Sequence, residues 1–307
     1  MSNFIKTFFI LIFTSFFTLS CTHGIPEDWD KTVNPKYSAF LIADPWASRA
    51  KPFPGFRVIG NLYGVGTYDL SVFLITSEKG HILINTGVAG SFHQIKDNIE
   101  TLGFRTEDIK ILLTMQAHWD HVAELTRIKN LTEASLLATQ KDARVLEDGG
   151  MSDAHFGGEV LFRPVKVDKI ITEGEVISLG DINLIVHEHP GHTEGSSSYS
   201  MEVKENNKTY NVAIVNMRTI NTGKVLTGDS TYSGVSKDFF STYQKQKAMK
   251  VDVWVSAHGS QYNLHAKYSP GQIYSADTFV DPEGFLKAIN KYEDIYLKQI
   301  EEEERSD

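Results

Sequence analysis

Three side chains able to bind a metal ion lie within four residues of one another, at His118, Asp120 and His121. They follow the apolar run 109–114, which has the length and composition of a short buried strand. A further polar side chain, Gln116, precedes the first histidine by two residues. Imidazoles and carboxylates at a strand's carboxyl end are donors that suit zinc. If the chain bends here, Gln116 and His118 face one point while Asp120 and His121 face a second, which predicts a metal centre with two positions.

Two more histidines follow apolar runs at turn signals. His192 lies in a Pro-Gly-His-Thr segment after the run 182–187, and His258 lies just beyond the run 251–256. One histidine near the end of a strand is more often structural than a ligand. Three such endings at widely separated positions rarely arise by chance, so we expect His192 and His258 to join the first cluster in one metal site.

Composition places the chain among ordinary globular proteins. Of its 307 residues, 41% are hydrophobic and 22% are charged, which is enough apolar mass for a sizeable core. Length alone does not decide between one domain and two. The formal net charge of -9, with no basic cluster, gives no support for nucleic-acid binding.

The first 20 residues have the pattern of an export signal. Lys6 precedes the apolar run 7–19, and Ser20 places a small residue at the end of that run. A retained membrane anchor fits less well because the run is too short to span a bilayer comfortably. Cys21 is the only cysteine, which excludes an intramolecular disulfide and a thiolate metal ligand. Its position loosely resembles a lipoprotein cleavage site, although Thr18 stands where leucine is usual, so a lipid anchor on Cys21 stays open.

Beyond the signal, the chain divides into an arm and a body. Residues 21–55 contain five prolines, which predicts an extended arm rather than long regular elements. From residue 56 onward, antiparallel strand patterns at 56–66, 71–76 and 82–85 precede a helix at 91–102 and the strand at 109–113. The second half repeats strands followed by helices, which suggests a sandwich with an approximate two-fold relation over residues 56–307.

The signature residues, taken in order, resemble those of the metallo-β-lactamase superfamily. They are His118-x-Asp120-His121, a Pro-Gly-His-Thr segment ending in His192 and Thr193, and the final His258, and the resemblance covers residues from about 56 to the C-terminal helix. The superfamily signature normally begins with histidine, where this chain has Gln116.

That departure resembles one branch of subclass B3, the GOB-type enzymes with a glutamine ligand. Asn216-Met217 stands where many relatives carry a metal-binding or bridging residue, and Asn85 stands where most relatives have aspartate. The resemblance implies an α/β fold, an αββα four-layer sandwich of two mixed sheets flanked by helices.

The resemblance also implies a zinc-dependent hydrolase that opens the amide bond of β-lactam antibiotics by attack of a zinc-bound hydroxide. The substrate would be a small molecule, and the mature chain would lie in the bacterial periplasm with no membrane span, as a monomer. One or two zinc ions per chain are expected as cofactors. Asp120 would both bind metal and orient the attacking water.

The resemblance divides the ligands into two sets. Asp120, His121 and His258 would hold one zinc ion, and Gln116, His118 and His192 would hold the other. Because an amide oxygen is a weaker zinc donor than an imidazole nitrogen, we expect the first set to fill first. Supporting or substrate-contacting roles are expected for four residues near these turns: Thr193, Ser196, Met217 and Ser260.

Alternatives remain open at this stage. Asp229, in a Gly-Asp pair, is a rival metal-bridging residue, although we favour it as a non-ligand. We interpret His155 as an incidental loop histidine, and His187 and His189 as non-ligands. Competing functions are an exported lactonase or thioesterase of the same superfamily, or a zinc-binding surface protein without turnover.

Overall fold

The structure, a computed structural model, describes residues 46–228 and 230–306. It contains one seven-stranded sheet in the order β1-β2-β3-β4-β5-β6-β7 and one five-stranded sheet in the order β12-β11-β10-β9-β8. The strands of the first sheet are β1 Phe56–Ile59, β2 Leu62–Gly64, β3 Phe73–Ser77, β4 Gly80–Ile84, β5 Ile109–Leu113, β6 Ser135–Ala138 and β7 Lys169–Ile170. Those of the second are β8 Val176–Leu179, β9 Ile182–Glu188, β10 Ser197–Glu205, β11 Lys208–Val215 and β12 Val253–Ser256. The helices are α1 Trp46–Arg49, α2 Phe92–Thr101, α3 Trp119–Val122, α4 Leu125–Thr132, α5 Gln140–Asp148, α6 Val235–Ala248, α7 Leu264–Lys267 and α8 Pro282–Glu304.

Each sheet starts with antiparallel strands and ends with parallel ones. Strands β1 to β4 pair antiparallel, whereas β4 to β7 pair parallel. The change follows from the connections, because a parallel pair needs a crossover and helices α2 to α5 supply it. In the second sheet, β8 to β11 pair antiparallel, and β12 joins β11 in parallel after α6. The predicted arrangement of two mixed sheets flanked by helices is confirmed.

Alternating side chains place the first sheet between two hydrophobic cores. Along β4, Ile82 and Ile84 face the core shared with Tyr199 of the second sheet. Leu83 faces the opposite core, where Ile95 of α2 packs. Strands buried on both faces read as continuous apolar runs, which is why β4 and β5 were recognisable from sequence. On the other sheet, the ring of Trp254 in β12 lies 5.7 Å from that of Phe285 in α8.

The described part of the predicted arm, residues 46–55, lies against the body. The carbonyl of Lys51 accepts a hydrogen bond from the Tyr68 amide at 2.9 Å, and the side chain of Asn98 donates to the carbonyl of Phe53 at 2.9 Å. The predicted export signal, Cys21 and the rest of the arm lie outside the described residues, as does Asp229. The division of the chain at residue 55 stays a prediction.

Among residues 46–228 and 230–306, no helix is both long enough and apolar enough to cross a membrane.

Candidate metal centre

The segments that carry the candidate ligands leave the carboxyl ends of β5, β9 and β12 and meet at one edge of the sandwich. Backbone hydrogen bonds hold these ends together: the Ser197 amide donates to Met115 and the Ser71 amide donates to Ala257, both at 2.9 Å. The ends of these strands from the two sheets therefore lie close together, as the sequence pattern predicted.

Asp120, His121 and His258 form the first donor set. Asp120 and His121 lie in the short helix α3, and His258 follows β12. The Asp120 Oδ2 atom lies 3.3 Å from His121 Nε2 and 3.6 Å from His258 Nε2. One potential ligand atom from each residue lies within 4.8 Å of the others. Within the described part of the chain, no other group of three or more His, Cys, Asp or Glu residues brings its ligand atoms this close together.

The ionisation of this set suits a divalent cation. Burial raises the pKa of Asp120, but the neighbouring His121, His258 and His118 outweigh it, and the carboxyl pKa falls below its usual value. Burial lowers the pKa of His121. An ionised carboxylate beside a neutral imidazole is the state in which these groups bind metal. Both ring nitrogens of His121 are buried without a hydrogen-bond partner among the described residues, and a bound cation would satisfy one of them.

Asp69 sets the orientation of His258. His258 Nδ1 donates to Asp69 Oδ2 at 3.3 Å, while Asp69 Oδ1 accepts from the Ser260 amide at 2.7 Å. Burial raises the Asp69 pKa, but the hydrogen bond from His258 and its charge outweigh burial, so the pKa is lowered. The ionised carboxylate can only accept, so Nδ1 of His258 directs its proton at Asp69 and Nε2 faces Asp120.

His118 and His192 form a second donor pair. His118 Nδ1 lies 3.1 Å from His192 Nε2. His192 Nδ1 donates to the carbonyl of Thr219 at 2.7 Å, which leaves its Nε2 as a lone pair. The Asp153 Oδ2 atom lies 3.4 Å from His118 Nε2, a buried atom that makes no hydrogen bond to the described residues. The Nδ1 atom of His118 and the Nε2 atom of His192 are therefore close enough for one cation to bind between the two rings.

Glycine shapes the turn that carries His192. Gly191 has a φ of +131°, a value that L side chains rarely adopt, and an added Cβ would lie 3.1 Å from the ring of Phe239. Burial, followed by the charge of His118, holds the pKa of His192 well below its usual value. The imidazole is therefore neutral and available as a donor.

Gln116 is buried two residues before His118, and its amide is oriented by Asn216. The Asn216 amide nitrogen donates to Gln116 Oε1 at 3.2 Å and to the Met115 carbonyl at 2.8 Å. The oxygen of Gln116 is thereby fixed as an acceptor, with one lone pair left for a cation. Among the described residues, the Asn216 amide is the hydrogen-bond donor that contacts the Gln116 oxygen.

The four expected supporting residues have different positions. Thr193 and Ser196 are hydrogen-bonded to each other at 2.7 Å, and Thr193 donates to Asp142 at 3.3 Å. Ser196 is fully buried, so it can orient neighbours but cannot reach a substrate. Met217 is buried and belongs to the hydrophobic core. Ser260 lines the cleft next to His258.

Asp142 accepts hydrogen bonds from the turn that carries His192. Its carboxylate accepts from Thr193 and from the Gly195 amide, the latter at 3.2 Å. Burial raises its pKa to about 6, against the opposing effect of the hydrogen bond from Thr193. We therefore assign the Asp142 carboxyl to stabilisation of this turn.

A cleft of about 480 Å³ opens over both donor sets. Besides His118, Asp120, His192 and His258, it is lined by Arg49, Trp119, Phe156, Thr219, Ser260 and Tyr292. A larger hollow of about 960 Å³ lies against β8 to β11, but its lining carries none of the candidate ligands. Chemistry rather than size therefore selects the smaller cleft as the functional site.

Sequence reasoning missed the residues that orient the ligands: Asp69, Asp153, Thr219, Asn216 and Asp142. None stands in a strand-then-histidine pattern, and each reaches its partner only through the fold. His155 lies in the loop beside Phe156, with ring centroids 4.4 Å apart. His189 hydrogen-bonds Ser198 in the interior at 2.8 Å.

Comparisons with known proteins agree with this geometry. Residues 66–205 match the family described as the metallo-beta-lactamase superfamily. The chain is 42% identical to a class B3 di-zinc metallo-beta-lactamase from an Alaskan soil metagenome, with 84% of this chain and 98% of that chain covered and a TM-score of 0.81. It is 41% identical to a beta-lactamase from Chitinophaga pinensis, with coverage of 88% and 97% and a TM-score of 0.79. It is 40% identical to the metallo-beta-lactamase GOB-18 from Elizabethkingia meningoseptica, with coverage of 83% and 94% and a TM-score of 0.80.

Proposed function

This chain belongs to the metallo-β-lactamase superfamily, and from that premise we propose that it is a zinc-dependent β-lactamase of subclass B3 that hydrolyses the amide bond of the β-lactam ring. One observation carries the proposal. The His118–His192 pair and the Asp120–His121–His258 set lie side by side in a single cleft. Three relatives that are 40–42% identical over more than four fifths of this chain are β-lactamases, and two of them are metallo-β-lactamases.

The chain's own residues supply positioning. We assign Asp120, His121 and His258 to one zinc position, and Gln116, His118 and His192 to the other. When bound, zinc lowers the pKa of a coordinated water to about 7 and polarises a carbonyl. Asp120 presents a carboxylate at the cleft that accepts a hydrogen bond from the attacking water and orients it toward the lactam carbon. No serine nucleophile is required.

The two positions should differ in affinity for zinc. The first set offers a carboxylate and two imidazoles, whereas the second replaces an imidazole with the amide oxygen of Gln116, which is a weaker donor. We propose that the Asp120–His121–His258 position fills first. Stepwise zinc titration against a competing chelator tests this, and two equally tight ions per chain would refute it.

Turnover of a chromogenic cephalosporin tests the function. We expect hydrolysis by the zinc-loaded protein, its loss after treatment with a chelator, and its return when zinc is added. Cleavage of lactones or thioesters in place of the cephalosporin would favour the related hydrolases. Tight zinc binding without turnover of any of these substrates would favour a zinc-binding surface protein.

We also propose that the protein is exported to the bacterial periplasm, where it confers resistance to β-lactams as a monomer. Support comes from the sequence pattern of residues 1–20, which lie outside the described structure. The mass of the processed N-terminus tests export, and it also separates a lipid-modified Cys21 from an unmodified one. Susceptibility of a host strain with and without the gene tests resistance.

A further inference from the structure

Asn216 follows β11 directly, and side chains from elsewhere in the chain fix its backbone. The residue is only 1% exposed. Its amide donates to Ser198 Oγ of β10 at 3.0 Å. Its carbonyl oxygen accepts from Gln246 Nε2 of α6 at 3.0 Å and from Arg218 Nη2 at 2.9 Å. The side chain of Asn216 therefore extends from a backbone that is held at both its amide and its carbonyl.

A backbone carbonyl sets the orientation of the Asn216 side-chain amide. Its nitrogen lies 2.8 Å from the carbonyl oxygen of Met115, and because a carbonyl oxygen only accepts, the nitrogen and not the oxygen of Asn216 must face it. The same nitrogen donates to Gln116 Oε1 at 3.2 Å. Gln116 must consequently present its oxygen, and not its nitrogen, to Asn216. One backbone carbonyl thus determines the orientation of both amides.

Two residues divide the task of holding Gln116, which is 2% exposed. Thr114 Oγ1 donates to the Gln116 carbonyl at 2.7 Å and accepts from its amide at 3.2 Å, so Thr114 holds the main chain. Asn216 holds the side chain. The amide oxygen of Gln116 is therefore fixed by contacts within the protein, without help from an ion.

We propose that Asn216 is a positioning residue that makes the amide of Gln116 a zinc ligand, by holding its oxygen toward the position shared with His118 and His192. This role rests on the zinc position assigned under the proposed function, and it does not depend on the identity of the substrate.

The two ends of a glutamine amide have nearly the same shape but different chemistry. The oxygen has lone pairs that zinc can use, whereas the nitrogen carries two hydrogens and only donates. The hydrogen bond from Asn216 excludes the unproductive orientation. It also orders a long side chain in advance, so less conformational entropy is lost when an ion binds. Residues that orient metal ligands typically change metal affinity by about 10- to 100-fold when they are lost.

A double-mutant cycle shows whether Asn216 acts through Gln116. Asn216→Leu removes the donor and keeps a similar shape, and Gln116→Leu removes the ligand. If Asn216 acts through the Gln116 oxygen, then Asn216→Leu has little left to disturb once that oxygen is gone. Asn216→Ala, which removes the same donor without adding bulk, is the second variant and should give the same result.

Asn98→Leu is the matched control. Asn98 is also a buried asparagine, 4% exposed, and its side-chain nitrogen donates to three backbone carbonyls. Its side chain holds the segment before β1 and the turn after β2, and none of these carbonyls belongs to an assigned ligand. Its replacement therefore tests the general effect of removing a buried asparagine.

The first measurement is zinc affinity by chelator competition, on full-length protein that has been stripped of metal and given zinc in steps. We expect Asn216→Leu to lower the affinity for the second equivalent by about 10- to 100-fold in the wild-type background. In the Gln116→Leu background, we expect the same substitution to change that affinity by less than about twofold. Asn98→Leu should bind both equivalents as the wild type does.

The second measurement replaces zinc with cobalt(II), whose visible absorption bands depend on the type and geometry of its ligands. We expect the bands that appear with the second equivalent in Asn216→Leu to match those of Gln116→Leu and to differ from those of the wild type. A general loosening of the fold would not reproduce the spectrum of the missing amide ligand.

Equal losses of affinity from Asn216→Leu in the two backgrounds would overturn the proposal, because Asn216 would then act through the fold and not through Gln116. Wild-type affinity in both Asn216→Leu and Asn216→Ala, or a similar loss in Asn98→Leu, would overturn it as well. Retained affinity for the first equivalent shows that each variant is folded.

Failure of this role is distinguishable from failure of the proposed function. Uptake of a single zinc ion by the wild type would overturn both the role of Asn216 and the assigned second position. Absence of cephalosporin turnover with both ions bound would overturn the proposed function alone.

Discussion

Hydrogen-bond partners hold the candidate ligands in their orientations, and these partners could not be predicted from the sequence. Asp69 fixes His258, and the Thr219 carbonyl fixes His192. Asp69 and His258 are 189 positions apart, so no local pattern links them. The sequence predicted the donors because strand-then-histidine endings are local, but it could not predict which ring nitrogen faces the centre, because that depends on contacts made only in the fold.

Asp69→Asn should weaken zinc binding at the Asp120–His121–His258 position. The carboxylate accepts from both the His258 ring and the Ser260 amide, whereas an amide has one oxygen and cannot satisfy both donors. We expect about a 10- to 100-fold loss of affinity for the first zinc equivalent, measured by chelator competition.

Asp252→Asn is a suitable control for that experiment. Asp252 also accepts hydrogen bonds from a backbone amide and a side chain, both from Asn211, but at the amino end of β12, away from His258. Equal zinc affinity in Asp69→Asn and the wild type would show that His258 keeps its orientation without this carboxylate.

Arg49→Ala should raise KM for substrates that carry a carboxylate. Arg49 is the only arginine or lysine among the described residues that line the cleft. Its Nε atom lies 3.6 Å from the carboxylate of Asp69, next to His258. Most β-lactams carry a carboxylate near the ring nitrogen, which an arginine can hold. We expect about a tenfold increase in KM, equivalent to about 1.4 kcal/mol, with little change in kcat.

A cephalosporin and its methyl ester distinguish this role from a general disturbance of the cleft. The ratio of KM between Arg49→Ala and the wild type should be about 10 for the acid and close to 1 for the ester. Lys51→Ala, which removes an exposed cation two residues away, should match the wild type. A similar loss for acid and ester, or reduced zinc content, would contradict carboxylate binding by Arg49.

At the scale of the elements, Asn85 ties together the strand ends from which the site is built. It follows β4 with a φ of +66°, a conformation that asparagine tolerates better than most residues. Its side-chain oxygen accepts from the Met115 amide at 2.9 Å, and its nitrogen donates to the Ser71 carbonyl at 3.2 Å. The end of β5 is thereby held next to the segment that leads into β3.

Asn85→Ala should therefore destabilise the fold. It leaves the buried Met115 amide without its acceptor and places alanine in the left-handed region. We expect the free energy of unfolding to fall by about 2–4 kcal/mol, measured by urea denaturation of the zinc-free protein. A loss below about 1 kcal/mol would mean that the strand ends are held by other contacts. Asn130→Ala, on the outer side of α4, provides a comparison at a less buried position.

Most elements were predictable because their apolar periodicity is set locally. The strand at 109–113 agrees with β5, and the predicted helix at 91–102 contains α2. The helical turn α3 was not predicted, because four residues are too few for a periodic pattern. The loop at 149–162 has no such periodicity, and the contact that its Asp153 makes with His118 joins residues 35 positions apart in sequence.

At the scale of the whole molecule, the metal centre joins the two sheets. His118, Asp120 and His121 follow β5 of the first sheet, whereas His192 follows β9 and His258 follows β12 of the second. Each assigned zinc position therefore takes ligands from both sheets, so a bound ion would act as a cross-link between them. Stability and metal occupancy should then be linked, because zinc binds the folded chain far better than the unfolded one.

Removal of zinc should consequently lower the melting temperature. An ion present at 100 times its dissociation constant adds about 2.7 kcal/mol of stability per site, and in a domain of this size each kcal/mol shifts the melting temperature by roughly 2–4 °C. We expect scanning calorimetry to show a decrease of about 5–10 °C per site on chelation, reversed by zinc. His258→Ala, which removes a ligand drawn from the second sheet, should lose the contribution of its own site, whereas His155→Ala in the loop at 149–162 should keep the full shift. Equal melting temperatures in chelator and in saturating zinc would mean that the ion does not bridge the sheets, and the assigned ligand sets would then be wrong.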